Sequence, residues 1–572
     1  MQHTLYVAVY CSFAAFLLAA RIAAMFGPDR SRIVLALAAA LGTAAVLLLS
    51  LFAPGVFFAS DDYFHDVWTV YEAINKAASG LRSSADYFSP IGPVQDWIYG
   101  AAIALGPASA ATLPLASTLA AILGIALAVA MLARRISLLG LCLTAFVLVA
   151  TAASPRELDT LFTDLQQNYL APYNRWAWAL LIPVALRLAT PSRGPDALGA
   201  VATGIAIAAL ILLKVTYGAA ALGLLAVAAV LRTEPLRDIA LAAIAVVLCI
   251  GIAELATGQV LPHYHDLAFV AGMETVGLRY KKFTRLLGEF TVMMLVSLFL
   301  LMLVDALSAQ EEEAPPDRAR PILLMLAVGG AGAVILMQNH YSTEAAVYAV
   351  LPLIAAEWTG LLRLSSAARE MPAWRHGPVG MLLVAAVAFV VLRTALVDTG
   401  TLAAQHLQLA DEGTDPALAD TALSALVVDP SYRESQVAAC ETLSCEHYIR
   451  LAAGLALLRE AGVSGETPAT VLTLYFSNPF PALLGMASPE RAPTWFDYAR
   501  SFSSSLHIPA ETLFEGVDIV MIANREFNAL MLERAYAEHL SAHYAPTLEN
   551  PSWRLLRRVQ AGSAQPAGSA GD

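Results

Sequence analysis

Ser60-Asp61-Asp62-Tyr63-Phe64-His65-Asp66 gathers three carboxylates and an imidazole in one short stretch. It follows an apolar run, Ile33 to Phe58, that is long enough to cross a bilayer. The acids therefore stand where a membrane segment surfaces. Ser60 with a single acid would serve as a helix N-cap. Three acids and a histidine exceed what a cap needs. A carboxylate at the mouth of such a segment suits proton transfer from a hydroxyl. The catalytic acid/base residues are expected to be Asp61 and Asp62, with His65 beside them on the substrate.

The segments that position this cluster follow it directly. Val67, Val70, Tyr71, Ile74, Ala78 and Leu81 recur at helical spacing, with Glu72, Asn75, Lys76 and Ser79 between them. That pattern predicts an amphipathic helix lying flat at the membrane surface, ended by Gly80 and Asp86. A rigid aromatic turn, Tyr87 to Pro93, leads into a second short segment from Val94 to Ala104.

Of the 572 residues, 58% are hydrophobic and 14% charged, and the mean hydropathy is +0.63. Repeated apolar runs of membrane length, continuous rather than alternating, predict an α-helical polytopic membrane protein. Arg marks the cytoplasmic side: Arg21, Arg30 and Arg32, then Arg134 and Arg135, Arg187 and Arg193, Arg232 and Arg237, and finally Arg363, Arg369 and Arg375. Counting from Met1–Ala24, which lacks the basic region of a signal peptide, this gives about 12 transmembrane helices. Residues 1–397 are then a membrane domain with an acidic external loop, 59–97. Residues 398–560 form a soluble, extracytoplasmic α/β domain, with strands at Val471–Phe476 and Val517–Ala523 and helices at Leu451–Ala461 and Ala529–Ala542. The tail 561–572 is small, polar and disordered.

From Asp398 onward, 10 Arg and no Lys stand against 21 Asp plus Glu, which accounts for nearly all of the net charge of −12. That balance excludes nucleic acid as a partner. No Cys/His set has zinc spacing, and a divalent metal at the acids is left open. Cys440 and Cys445 are either a disulfide, which an extracytoplasmic domain permits, or two thiols on one helix.

The chain has four lysines, Lys76, Lys214, Lys281 and Lys282, and this topology puts all of them outside, against the usual bias. An anionic headgroup or a phosphate substrate would hold them there. Lys214 stands between two apolar runs, where a charge is costly unless paired or wet; snorkelling to headgroups is the alternative. Arg279, Lys281 and Lys282 form a basic external loop that binds either substrate or lipid. His263 and His265 lie in the same loop. Asn174 and Arg175, and Gln338, Asn339 and His340, place amides and bases at other external helix ends. These are candidate substrate-binding positions, in competition with interfacial anchoring.

An apolar helix, then an external loop opening on an acidic pair, then surface helices: this arrangement resembles the GT-C superfamily of integral-membrane glycosyltransferases, including aminoarabinose, mannosyl and arabinofuranosyl transferases. Asp61-Asp62 and the helices after them carry the likeness, and here the acidic loop follows the second apolar run. The resemblance implies a GT-C-like fold in a bacterial cytoplasmic (inner) membrane. It also implies a polyprenyl-phosphate-linked sugar donor, an Asp of the loop as base, and a glycan, lipid or protein acceptor outside. A phosphate leaving group needs cations, for which Lys214, Arg279, Lys281 and Lys282 are available. The rival reading is a multi-pass transporter or flippase. That class usually places ionisable groups at mid-membrane in repeated halves, and no repeat is evident.

Overall fold

The computed structural model describes residues 28–59, 63–155, 169, 171–192, 194–273, 279–308, 318–338, 346–363, 378–432, 440, 442–467 and 469–559. It is predominantly helical. Helix α1 (Pro28–Leu51) is followed by a short strand β1 (Val56–Phe58), the surface helices α2 (Phe64–Ala78) and α3 (Val94–Leu105), and the apolar helices α4 (Thr112–Leu132) and α5 (Leu138–Ala153). Next come α6 (Pro172–Ala189), α7 (Ala197–Leu213), α8 (Val215–Val230), α9 (Leu236–Thr257), α10 (Val260–Ala271), α11 (Arg279–Ser308) and α12 (Ala319–Gln338). A 3-10 turn (Ala346–Val350) with α13 (Leu351–Trp358) precedes α14 (Pro378–Glu412).

Among the described residues, four helices are long and apolar enough to cross a membrane, α1, α4, α9 and α12, and a bent α14 would make five. Several others, α5, α7 and α8 among them, are apolar but shorter. By length alone these fall below the expected dozen. Their outer faces are apolar: Leu41, Val247, Ile252, Phe299 and Leu382 are all exposed, and Leu255 is 90% exposed. Side chains of this kind, all around a bundle, face lipid. The chain is an integral membrane protein.

The bundle has two chemically distinct ends. At one, buried charges tie the helix termini together. Arg135 contacts Glu234 at 2.9 Å, and Arg187 contacts Asp196 at 2.8 Å and Glu234 at 3.2 Å. Arg135 also donates to the carbonyls of Thr190 and Thr233. These arginines are ones that the charge bias marks as cytoplasmic. Asn174 begins the same helix that Arg187 ends, about 20 Å away at helical rise.

At that other end the chain departs from the sequence expectation. The apolar run does not continue as helix to Phe58. It stops at Leu51, and Val56–Phe58 pairs in parallel with β2 (Leu426–Val428). Val and Phe serve strand and helix equally, so apolarity alone could not locate the change. Helix α14 spans position 398 and is bent by 45° just before it, between Arg393 and Ala395.

The C-terminal residues form a four-stranded mixed sheet in the order β3 (Val471–Leu474), β4 (Ile519–Ala523), β6 (Trp553–Arg558), β5 (Tyr544–Glu549). The first pair is parallel and the others antiparallel. Around it lie α15 (Leu443–Glu460), α16 (Pro479–Leu484), α17 (Ala510–Leu513), α18 (Phe527–Ala535) and α19 (Ala537–His543). Two helices stand where the sequence predicts one over 529–542, and the β5–β6 hairpin is additional. Cys440 and Cys445 are disulfide-bonded. Among the described cysteines, Cys142 and Cys249 are free thiols.

Helix α2 does not lie open on a surface. It packs on α3, α15 and α16, and the segment after α16 meets its polar side. Glu72 and Lys76 are fully buried there. Lys76 Nζ donates to the Pro489 carbonyl at 2.5 Å and sits 4.6 Å from the Tyr87 ring, while Glu72 accepts from Ser488 Oγ at 2.9 Å. Asn75 donates to the Met486 carbonyl and to Ser488. One hydrophobic core consequently runs from the helices into the sheet.

Removing one partner of a buried ion pair strands the other. Lys76→Met is expected to cost about 3 kcal/mol, read as a lowered Tm of the purified protein. Burial raises the Glu72 carboxyl to about 7, opposed by Lys76. Without the amine Glu72 takes up a proton more readily, so the loss should be smaller at pH 6 than at pH 9.

Candidate active site

The acidic cluster opens α2. Ser60, Asp61 and Asp62 lie outside the described residues, but the chain on either side is held. The Phe58 carbonyl accepts from Asp429 N–H, and Phe64 N–H donates to Ser444 Oγ at 3.2 Å. The Phe64 ring packs edge-on against Phe58 and Trp68. Aromatic residues thus fix the entry to the helix whose first turn carries His65 and Asp66.

Asp66 is buried. Burial pushes its carboxyl up to about 7, Arg500 pulls it back, and Asp497 adds to the rise. His65 Nε2 is 4.0 Å from Asp66 Oδ1. The His65 ring lies 4.3 Å from the His447 ring and 4.5 Å, edge-to-face, from Phe476. Burial, helped by His65 and Arg450, pushes His447 well below the usual imidazole value. Its Nδ1 meets the Tyr475 hydroxyl.

Lys214 comes from the helical bundle. It is the single extended residue between α7 and α8 (φ −158°, ψ 111°), which projects it from two apolar helix ends. Its amine donates to Asn174 Oδ1 at 2.7 Å and lies 5.0 Å from the Tyr173 ring centre. Burial lowers it to about 7, with Arg500 adding to the effect. The break is clamped from outside, since Gly92 N–H donates to the Leu213 carbonyl at 3.1 Å.

The charge of Arg500 acts on both Asp66 and Lys214. It comes from the C-terminal region, where Nη1 donates to Asp497 Oδ2 at 2.6 Å and the guanidinium lies 5.2 Å from the Trp495 ring. Ala499, at φ +64°, shapes the turn before it. Neither Asp66 nor Arg500 is among the site residues expected from sequence. Asp66 belongs to the acidic stretch itself, and the run Trp495-Phe496-Asp497-Tyr498-Ala499-Arg500 mixes aromatics with charges, the one local signal of a site.

The structure joins Lys214 to Asn174 and sets His65 beside Asp66. Arg175 turns the other way: it pairs with Asp398 at 3.0 Å and donates to the Thr151 carbonyl at 2.7 Å, buried among the helices. His263 is buried against the loop before α3, with Nδ1 3.4 Å from Ser84 Oγ, and His265 is exposed. Nearby, Asp266 accepts from Ser89 N–H, and Gln259 from Trp97. His263 thus helps hold the loop that clamps the Lys214 break. Arg279, Lys281 and Lys282 occupy the first turn of α11 and Gln338 ends α12, but their side chains lie outside the described residues, as do Asn339 and His340. Among the described residues no group of three or more His, Cys, Asp or Glu could hold a metal ion. Asp61 and Asp62 are not part of that set.

No family model matches the chain, and no curated protein does. Two crystal structures of ArnT from Cupriavidus metallidurans are similar. The one bound to undecaprenyl phosphate is 14% identical with a TM-score of 0.44, and the apo form is 13% identical with a TM-score of 0.40. Each comparison covers 92% of this chain and 98% of that one.

Proposed function

We propose that this chain is a membrane glycosyltransferase of GT-C type. It moves a sugar from a polyprenyl-phosphate donor to an acceptor hydroxyl at the outer face of a bacterial inner membrane, with the sheet region outside. The observation that carries this reading is a buried carboxylate, Asp66, and a buried amine, Lys214, that both lie within the field of one guanidinium, Arg500. A lipid-borne phosphate reaches such a point from the bilayer, and a water-soluble acceptor reaches it from the other side.

The roles follow from the reaction. The acceptor oxygen bonds to the anomeric carbon and gives its proton to a carboxylate. The base is Asp61 or Asp62, the acids that open the same stretch. The bond from the anomeric carbon to the phosphate oxygen breaks, and that oxygen keeps the electron pair. Lys214 and Arg500 meet the growing charge, Lys214 as a point donor and Arg500 as a planar fork. Asn174 aims the Lys214 amine. Lys281 and Lys282 on α11 are further donor contacts, and a divalent cation at the acid pair is compatible with this scheme.

The test is the full chain in lipid nanodiscs with a labelled polyprenyl-phosphate sugar, together with mass spectrometry of surface glycans and glycolipids in a deletion strain. Loss of one glycan modification on deletion is expected. An unchanged glycan profile, with no donor turnover in nanodiscs, would overturn the reading. Gly92→Ala supplies a structural check. An added Cβ would meet the Leu212 carbonyl oxygen at 1.9 Å, and backbone cannot yield as a side chain does. The clamp must shift, and turnover is expected to fall about tenfold through misplacement of Lys214.

A further inference from the structure

Arg500 belongs to a wall whose other members the proposed chemistry leaves unused. His65, Phe476, Trp495, Asp497 and Arg500 are each only partly buried, so packing does not consume their surfaces. They are contiguous. Phe476 lies 4.5 Å from His65 and 6.3 Å from Trp495, and Arg500 stacks 5.2 Å from Trp495 while bonded to Asp497. Except for His65, all belong to the C-terminal region. Lys214 and Asn174, by contrast, come from membrane helix ends. Asp66 adjoins His65, with Nε2 of the imidazole 4.0 Å from its Oδ1.

The chemistry of the wall selects its ligand. Flat rings offer an apolar face, and an ion pair at their edge offers donors and acceptors. An alkyl chain would meet the charges of Asp497 and Arg500. An extended peptide would need open backbone groups. Here they are taken: Phe496 N–H donates to the Phe476 carbonyl, Asp497 N–H to Ser501 Oγ, Tyr498 N–H to Asn528 Oδ1 and Ala499 N–H to the Phe502 carbonyl. A sugar ring, with its C–H face and its rim of hydroxyls, matches both features.

We propose that this wall is the acceptor subsite, and that the acceptor is a carbohydrate ring stacked on Trp495 and Phe476 with hydroxyls directed to Asp497. This rests on the glycosyltransferase reading and narrows it to one acceptor class. The sugar hydroxyl that reacts is the one held toward the acidic stretch that Asp61, Asp62 and Asp66 share.

Saturation-transfer NMR on the full chain in nanodiscs tests it, with methyl α-mannopyranoside, methyl β-glucopyranoside and a capped serine tripeptide as probes. At least one glycoside should show ring C–H saturation and the tripeptide none. The signal should fall about fivefold in Trp495→Ala, the scale of one lost aromatic contact. It should persist in Trp495→Phe, which keeps a ring, and in Lys214→Ala. Absence of any glycoside signal, a tripeptide signal in its place, or a signal indifferent to Trp495→Ala would each overturn the assignment. Binding of farnesyl phosphate to the same preparation reports separately on the donor. Its loss in Lys214→Ala is expected, and no binding even in the unaltered chain would sink the donor reading while leaving the sugar subsite standing.

Discussion

Lys214→Ala is expected to slow sugar transfer by about 10²–10³-fold, the usual effect of removing one preorganised donor from a developing oxyanion. On the proposed scheme the amine is held for that task. It is bonded to Asn174 at 2.7 Å, placed over Tyr173, and projected from the one extended residue between two helices. The same burial that positions it lowers it to about 7, with Arg500 contributing. Lys214 must be charged to stabilise phosphate, so turnover should fall as pH rises through 7. Lys214→Arg keeps its charge at every accessible pH. It should retain much of the activity while its alkaline limb disappears, which kcat measured from pH 6 to 9 would reveal. A lysine that merely snorkels to headgroups predicts otherwise. In that case both variants would lower membrane stability slightly and leave the pH profile unmoved.

Much of the helical layer was legible because the apolar runs are bounded by single charges. The break at Lys214 is one charged residue between two apolar runs, and α7 and α8 end and begin there. Helix α2 was legible from its spacing, but its environment was not. A polar face reads as solvated, whereas Glu72, Asn75 and Lys76 are satisfied by Met486, Ser488 and Pro489, residues very distant in sequence. The same limit hid Arg500. Its partners at the site come from the first and middle thirds of the chain, and no local period brings them together. Arg175 shows the converse error. Its position beside Asn174 suggested a substrate contact, but helix geometry sends adjacent residues in different directions, and Arg175 ends on Asp398.

Asp61→Asn or Asp62→Asn, whichever removes the base, is expected to cost about 10²–10⁴-fold in kcat, the range for loss of a positioned general base, with little change in Tm. Asp66→Asn should behave differently. Asp66 feels the charge of Arg500 and lies beside His65, so on the proposed scheme its part is to position rather than to take the proton. The expected loss is about tenfold. Burial raises its carboxyl to about 7, and Lys214 is lowered to about the same value. A site that needs Asp66 ionised and Lys214 protonated is therefore most active near pH 7 and falls about threefold at pH 6 and at pH 8. Asp66→Asn removes the acid limb of that curve, and Lys214→Arg the alkaline limb. The alternative has its own signature. If Asp66→Asn alone abolishes turnover while Asp61→Asn, Asp62→Asn and the double variant stay active, the proton goes to Asp66, and the acid pair serves only to cap and orient the helix that carries it.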